Sequence, residues 1–339
     1  MSFTKEYRKE IIEFIIQSVS LHKNPYQSVL EKYPISRQTL AKYIKNLIEK
    51  NIIAKVGRNH FELKLFIFDK RVYDNKGLAE HIIYQDFVKP YEADKKENVK
   101  YILNYAFTEM LNNAIEHSEG DKIYVYYAEN YYYSIIAIED NGIGIFKKIK
   151  RDHHLKNESE AIFELKKGKL TSDSENHSGE GIFFTSKVVD YFSIESFQHH
   201  FSSGNKKYFY SFEQLERDKV NGTSVFMVID KNTNRTTKEV FEKYTNEKYI
   251  FDRTEITIYL AKEYLGFPLI SRSLAKRILS NIDKFKNVFL DFSGIDSIGQ
   301  GFADEVFRVY RNKKPEITIL PINENSDIRF MIERALKAK

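Results

Sequence analysis

The chain has 339 residues, no cysteine and a formal net charge of +5. That length holds two or three domains with separate apolar cores, and the missing cysteines exclude disulfides, thiolate metal sites and a cysteine nucleophile. No apolar run approaches the roughly 20 residues of a membrane span, and MSFTKEYRKEIIEFIIQSVS lacks the apolar region and small-residue cleavage site of a signal peptide, so a cytoplasmic protein is expected.

Residues 1–68 carry 12 Lys/Arg against 6 Asp/Glu, a net of +6, and so supply the whole charge excess. A basic module on a near-neutral remainder suits a polyanion. Ile11, Ile12, Ile15, Ile16 and Val19 repeat at helical spacing and predict a helix over 4–20. A second helix is predicted at about 25–32, stopped by Pro34, which has no N–H to donate. Ser36 then caps a third helix with an apolar stripe of Leu40, Ile44, Leu47 and Ile48. The segment NIIAKVGRNHFELKLF reads as two short strands about a glycine-containing turn. Three helices and a hairpin resemble a winged helix-turn-helix. The resemblance implies DNA as a partner, with Arg37, Gln38 and Lys42 reaching base edges and Lys55 and Arg58 gripping phosphate. Dimerisation or protein docking is the other use of such a module.

The middle of the chain holds four spaced signals. YILNYAFTEMLNNAIEHSEG, 101–120, predicts a helix with Glu109 and Asn113 one turn apart. SIIAIEDNGIGIF reads as a buried strand running into Asp140, then Gly142 and Gly144. NHSGEGIFFTSKVVDYF places Gly179 and Gly181 at the start of a helix, and VNGTSVFMVI puts Gly222 and Thr223 at the start of a strand. Singly each is weak: a Glu/Asn pair is commonly a solvated face, and Asp-Asn-Gly is commonly a turn.

As an ordered set over residues 75–232, these signals resemble the GHKL ATPase superfamily, which includes gyrase-type topoisomerases, histidine kinases and serine-kinase anti-sigma factors. The resemblance implies ATP and Mg2+ as cofactors. It gives Asp140 the adenine amino group, which a carboxylate selects because it only accepts hydrogen bonds. It lets the backbone at Gly142 and Gly144 approach the nucleotide, and gives Thr223 a supporting hydroxyl at the adenine end. Asn113 becomes the Mg2+ ligand and Glu109 the general base. Gly179 and Gly181 present N–H groups to phosphates. Residues 145–178 take the place of a lid, with Lys166, Lys167 and Lys169 as candidate phosphate contacts or as a solvated face.

After a polar stretch near 231–249, strand and helix patterns alternate over 250–339 and predict a small α/β domain. VFLDFSGIDSIGQGFADEVF resembles the STAS fold of anti-sigma-factor antagonists. The antagonists' phosphorylated serine corresponds here to Ile298. Ser297, one residue earlier, is read as satisfying backbone groups where the loop meets the helix.

The expected fold is therefore a mixed α+β and α/β multidomain chain: a winged helix at 1–68, a GHKL (Bergerat) α/β sandwich at 75–232 and a STAS-like domain at 250–339. The expected function is a cytoplasmic ATP-binding regulator, enzymatic if it turns ATP over, whose nucleotide state acts on a DNA-binding module and on a STAS-like module that meets a partner protein. The alternatives are a protein-serine kinase acting on a separate partner, and an ATP-driven clamp that homodimerises as its lid closes. A P-loop is excluded because G-x-x-x-x-G-K-[ST] is missing. DKNTNRTTKEVFE, 230–242, fails as a calcium loop, with Arg235 at its glycine position and Phe241 at its glutamate position. His117, His153, His154 and His177 do not form a metal spacing.

Overall fold

The computed structural model describes residues 4–167, 181–205, 221–244, 255–260, 269–279, 282 and 285–337. The chain is mixed α/β and forms two compact units: Met1–Glu158 with Gly181–Thr237, and Ser159–Glu180 with Lys238–Lys339. Among the described residues no helix is long and apolar enough to cross a membrane.

The first unit opens with three capped helices, α1 (Lys5–Ser20), α2 (Pro25–Lys32) and α3 (Arg37–Glu49). Thr4, Asn24 and Ser36 each turn a side-chain oxygen onto a first-turn N–H, from Tyr7, Tyr26 and Thr39 respectively, which satisfies a donor the helix itself leaves open. Leu40, Ile44 and Leu47 of α3 are buried, as their spacing demands. An antiparallel hairpin of β1 (Ile53–Gly57) and β2 (His60–Leu63) follows.

The centre of this unit is a six-stranded, wholly antiparallel sheet in the order β3-β4-β5-β8-β6-β7. Its strands are β3 (Ile67–Asp74), β4 (Lys122–Glu129), β5 (Tyr133–Asp140), β6 (Tyr191–Ser196), β7 (His199–Gly204) and β8 (Thr223–Asp230). The 21-residue α5 (Glu97–His117) packs on one face beside α8 (Gly181–Val188), while α4 (Glu80–Phe87) packs on α5. Ile102, Ala106, Met110 and Leu111 of α5 are completely or almost completely buried.

An antiparallel strand with one solvated face alternates apolar and polar residues. β5 is instead buried at every position, and its run SIIAI has no polar break for that reason. Both faces are covered. Tyr133, Ile135 and Ala137 point away from α5 and join Tyr126, Phe226 and Val228 in a single core with Ile11, Ile15 and Leu40 of the three-helix module. The module therefore shares its core with the back of the sheet. The Tyr131 hydroxyl, donating to Glu13 Oε2 at 3.2 Å, marks the rim of the joint.

At one end of the sheet, Glu129 closes β4 with 2 % of its side chain exposed. It pairs with Lys95, whose side chain is 1 % exposed, accepts from the Tyr127 hydroxyl, and lies 3.4 Å from Lys231 Nζ.

In the second unit three parallel strands, β9 (Glu255–Tyr259), β10 (Asn287–Asp291) and β11 (Thr318–Ile322), run in the order β11-β10-β9. Helices Arg272–Ile278, Gln300–Asp304 and Ser326–Lys337 supply Ile278, Phe302 and Ile328 to a core with Val288 and Leu290. Helix Gln300–Asp304 continues as a π-helical turn, Glu305–Tyr310. Asp304 is clamped there between Arg272 at 2.6 Å and Arg308 at 2.5 Å.

Two stretches read as polar connections contain helices. The insertion after β5 forms α6 (Ile145–Asp152) and α7 (Glu158–Lys167), and the stretch after β8 forms helix Thr237–Tyr244. Their charges are helix-compatible because they sit four apart, as in Lys148–Asp152 at 3.5 Å and Lys238–Glu242 at 3.6 Å. Each helix needs few apolar anchors, Phe146 in one and Val240 in another.

Candidate functional site

At the other end of the sheet β5 delivers Asp140, 4 % exposed, onto the face that α5 covers. Its Oδ1 accepts from the backbone N–H of Gly142 at 2.9 Å and of Thr223 at 3.2 Å. Burial pushes the carboxyl up to about 6, against the pull of those N–H groups and of the Thr223 side chain. A carboxylate offers about four lone-pair sites, so acceptor capacity remains after these bonds. Thr223 Oγ1 accepts from Ile145 N–H at 2.9 Å and so pins the start of α6 beside the acid.

Asn141 is the turn's internal brace. Its Oδ1 accepts from Asp121 and Lys122 N–H, and its Nδ2 donates to Asp121 Oδ1 at 2.7 Å. Gly142 answers to the protein's own backbone: a Cβ there would lie 1.9 Å from the Ser118 carbonyl oxygen, just past the end of α5. The need for glycine at this point is thus met inside the fold. Gly144 has φ +87° and its Cβ would meet Ser196 Oγ at 2.5 Å. Gly222, next to Thr223, would strike the Asp140 carbonyl oxygen at 2.0 Å. Ser196, whose hydroxyl donates to the Gly222 carbonyl at 2.9 Å, belongs to this packing and has no sequence signature. The Arg151 guanidinium grips Glu119 at 2.6 and 3.2 Å, tying α6 to the turn after α5 and holding the Glu119 carboxyl down at about 2.

α5 forms a common wall. Its C-terminal end meets the Asp140 turn through the Ile143 N–H to Ser118 carbonyl bond of 3.0 Å. Eight residues before its last residue, about 12 Å along the axis, Glu109 faces the first residue of α8: a Cβ on Gly181 would sit 2.2 Å from Glu109 Oε2. Asn113 lies one turn from Glu109, and its amide nitrogen is buried without a hydrogen-bond partner. An unsatisfied buried amide is costly unless a ligand or water completes it, and rotating the amide by half a turn offers an oxygen in the same place. That donor set fits a hard cation that keeps most of its waters. Among the described residues no three His, Asp or Glu side chains cluster as a metal site.

Asp140, Gly142, Gly144 and Thr223 are thus gathered at one end of α5, and Glu109, Asn113 and Gly181 lie along it. Gly179 and Lys169 lie outside the described residues, as do the side chains of Lys166 and Lys167. Arg37, Gln38 and Lys42 on α3 and Lys55 and Arg58 on the hairpin are all exposed on the three-helix module, with the Arg37 guanidinium 5.3 Å from the Tyr26 ring centre.

In the second unit Ile298 is buried and Ser297 exposed. The backbone of that loop is satisfied from elsewhere. Asn325 Nδ2 donates to the carbonyls of Ile295 and Asp296, and Gly299 N–H donates to the Leu269 carbonyl. The bracing role expected of Ser297 falls to Asn325, which is distant in sequence. Residues 274–329 match a family described as a STAS-like domain of unknown function (DUF4325). No curated protein matches the chain.

Proposed function

We propose that the first unit binds ATP in the manner of GHKL proteins, and that the chain is a regulator coupling nucleotide state to a DNA-binding winged helix and a STAS-like signalling module. The observation that carries this reading is Asp140, a carboxylate buried at a strand end with backbone N–H donors and, among the described residues, no cation paired with it, with Gly142 and Gly222 packed against it. A base with an amino group where guanine carries its C6 carbonyl supplies a further donor to the acceptor capacity that remains on this acid, which favours adenine over guanine.

In this reading Thr223 holds the acid and the α6 start in register. Asn113 would hold Mg2+, which supplies neutralisation of phosphate charge. Glu109, next to the α8 N-terminus, takes the proton of the attacking nucleophile or orients it. Gly181 keeps space open in front of that carboxylate. On the basic module, Arg37, Gln38 and Lys42 would read DNA bases, and Lys55 and Arg58 would contact phosphate.

The deciding experiment is calorimetry of the full chain with ATP and GTP, with and without Mg2+, for wild type and Asp140→Asn. ATP binding that is lost in the variant and not shared by GTP supports the proposal. Equal affinity of both proteins for ATP sinks it. With γ-labelled ATP, free phosphate identifies an ATPase and label on serine a protein kinase.

A further inference from the structure

The six-stranded sheet ends at β3, whose outer edge has no neighbouring strand among the described residues. β3 pairs β4 in a single register, from Ile67 opposite Glu129 to Asp74 opposite Lys122, and the Asn75 N–H to Asp121 carbonyl bond extends it. The odd-numbered residues of β3 therefore aim their N–H and C=O groups at β4, while Phe68, Lys70 and Val72 aim theirs outward. Among the described residues the outward groups of Phe68 and Val72 have no backbone partner. Apolar side chains line the same edge: Phe66, Phe68 and Val72 are 54 %, 46 % and 48 % exposed. A long edge of this kind is commonly blunted by charge. Here the two central cations lie against the chain's own rings, Lys70 Nζ 5.6 Å from the centre of Tyr126 and the Arg71 guanidinium 5.1 Å from that of Phe87.

We infer that this edge is a self-association surface: β3 pairs antiparallel with β3 of a second copy about a two-fold axis at Lys70, joining the two sheets into one. The inference stands apart from the nucleotide reading. A two-fold interface is isologous, so the position of the axis fixes every partner. With the axis at Lys70, Phe68 meets Val72 of the second copy as a hydrogen-bonded pair, and Asp69 meets Arg71 of the second copy as a closer, non-hydrogen-bonded pair. Each pairing occurs twice, and Ile67 falls opposite Tyr73. Moving the axis one residue sets Asp69 against Asp69, or Arg71 against Arg71, and like charges directly opposite are destabilising. The segment Phe68-Asp69-Lys70-Arg71-Val72 thus complements itself best in one register. The two Lys70 residues meet on the axis, with each charged end laid back toward Tyr126 of its own sheet.

The test is sedimentation of the full chain over a graded concentration series. Wild type is expected to show a concentration-dependent dimer. Val72→Pro removes an outward N–H and leaves the β4 ladder alone, as proline at a sheet edge can, and should be monomeric. Asp69→Arg sets arginines face to face and should raise the dissociation constant about tenfold or more, and adding Arg71→Asp should restore it. The chain has no cysteine, so Lys70→Cys carries a single thiol at the axis. A short bis-maleimide should link two such chains, and should leave Lys76→Cys, beyond the paired stretch, unlinked. A wild type that is monomeric throughout overturns the inference. So does a dimer that Val72→Pro and Asp69→Arg leave intact, or equal linking at positions 70 and 76. If the substitutions at 69, 71 and 72 unfold the sheet, the crosslink at 70 decides.

Discussion

Two carboxylates close neighbouring strands at opposite ends of the same sheet, and their surroundings are opposite in kind. Glu129 ends β4 among Lys95, Lys231 and the Tyr127 hydroxyl. Asp140 ends β5 with two backbone N–H donors on Oδ1. Both are almost fully buried. Glu129 is surrounded by cations and acts as a rivet; Asp140 has no ion-pair partner among the described residues. A buried charge without a counter-charge is costly, and a fold that keeps one holds it available for something else. The pair separates an acid neutralised by buried cations from one held by backbone N–H groups.

The largest effect is expected at the rivet. Glu129→Ala removes the buried partner of Lys95, leaving it the exposed Asp94 at 3.5 Å and the Tyr91 carbonyl, and breaking a buried ion pair from one side costs up to about 3–5 kcal/mol. Urea denaturation reads it directly, and a loss below about 1 kcal/mol would erase the distinction between the two acids.

Next comes Asp140, with the opposite sign. Its carboxyl is raised from an ordinary 3.8 to about 6, so between those values the native state holds a proton that the unfolded chain has released. Stability should rise as pH falls from about 6 to about 4, by on the order of 3 kcal/mol at 1.36 per unit. Asp140→Asn keeps the acceptor for Gly142 and Thr223, removes the charge, and should be more stable than wild type at pH 7 while losing ATP. A variant less stable at neutral pH, or a wild-type stability curve flat from pH 4 to 6, would break the comparison.

Gly142→Ala places a methyl against the Ser118 carbonyl, and overpacking of this kind costs about 1–3 kcal/mol. If thermal melts show no loss, the end of α5 can yield and does not fix the acid's turn. The affinity for ATP should itself fall about tenfold per pH unit below 6, about 1.4 kcal/mol each, because only the ionised acid accepts freely. An affinity constant from pH 7 to 5 would remove Asp140 from recognition.

The smallest effects belong to charges that are not buried at all. Lys55→Ala or Arg58→Ala should change stability by less than about 0.5 kcal/mol, yet flatten the salt dependence of DNA affinity by about one unit. Electrophoretic shifts at graded salt measure this, and an unchanged slope would take that residue off the phosphate path.

The elements that could be read along the chain were the locally encoded ones. Ser36 marks the start of α3 and Leu40, Ile44 and Leu47 its inner face, because cap and period are contained within a few residues. The run into Asp140 announces a buried strand for the same reason. The Glu129 cluster is invisible in one dimension, since Lys231 lies 102 residues away and no period connects them. Phe163 stands in a charged insertion, and its burial depends on a core whose other members begin at Ile258. Of the candidate site, Asp140 and Thr223 are legible as types at strand ends. The reason for Gly142 is not, because it is set by where α5 stops.

The shared core behind the sheet has a consequence for heredity. Ile11, Ile15 and Leu40 lie in one apolar mass with Tyr133, Ile135, Ala137 and Phe226, so the three-helix module is not a cassette that recombination can lift out intact. A break there would wet both surfaces at once, at about 25 cal/mol for each square ångström of apolar area uncovered. A substitution on either side of this seam is answerable to the surface it packs against on the other.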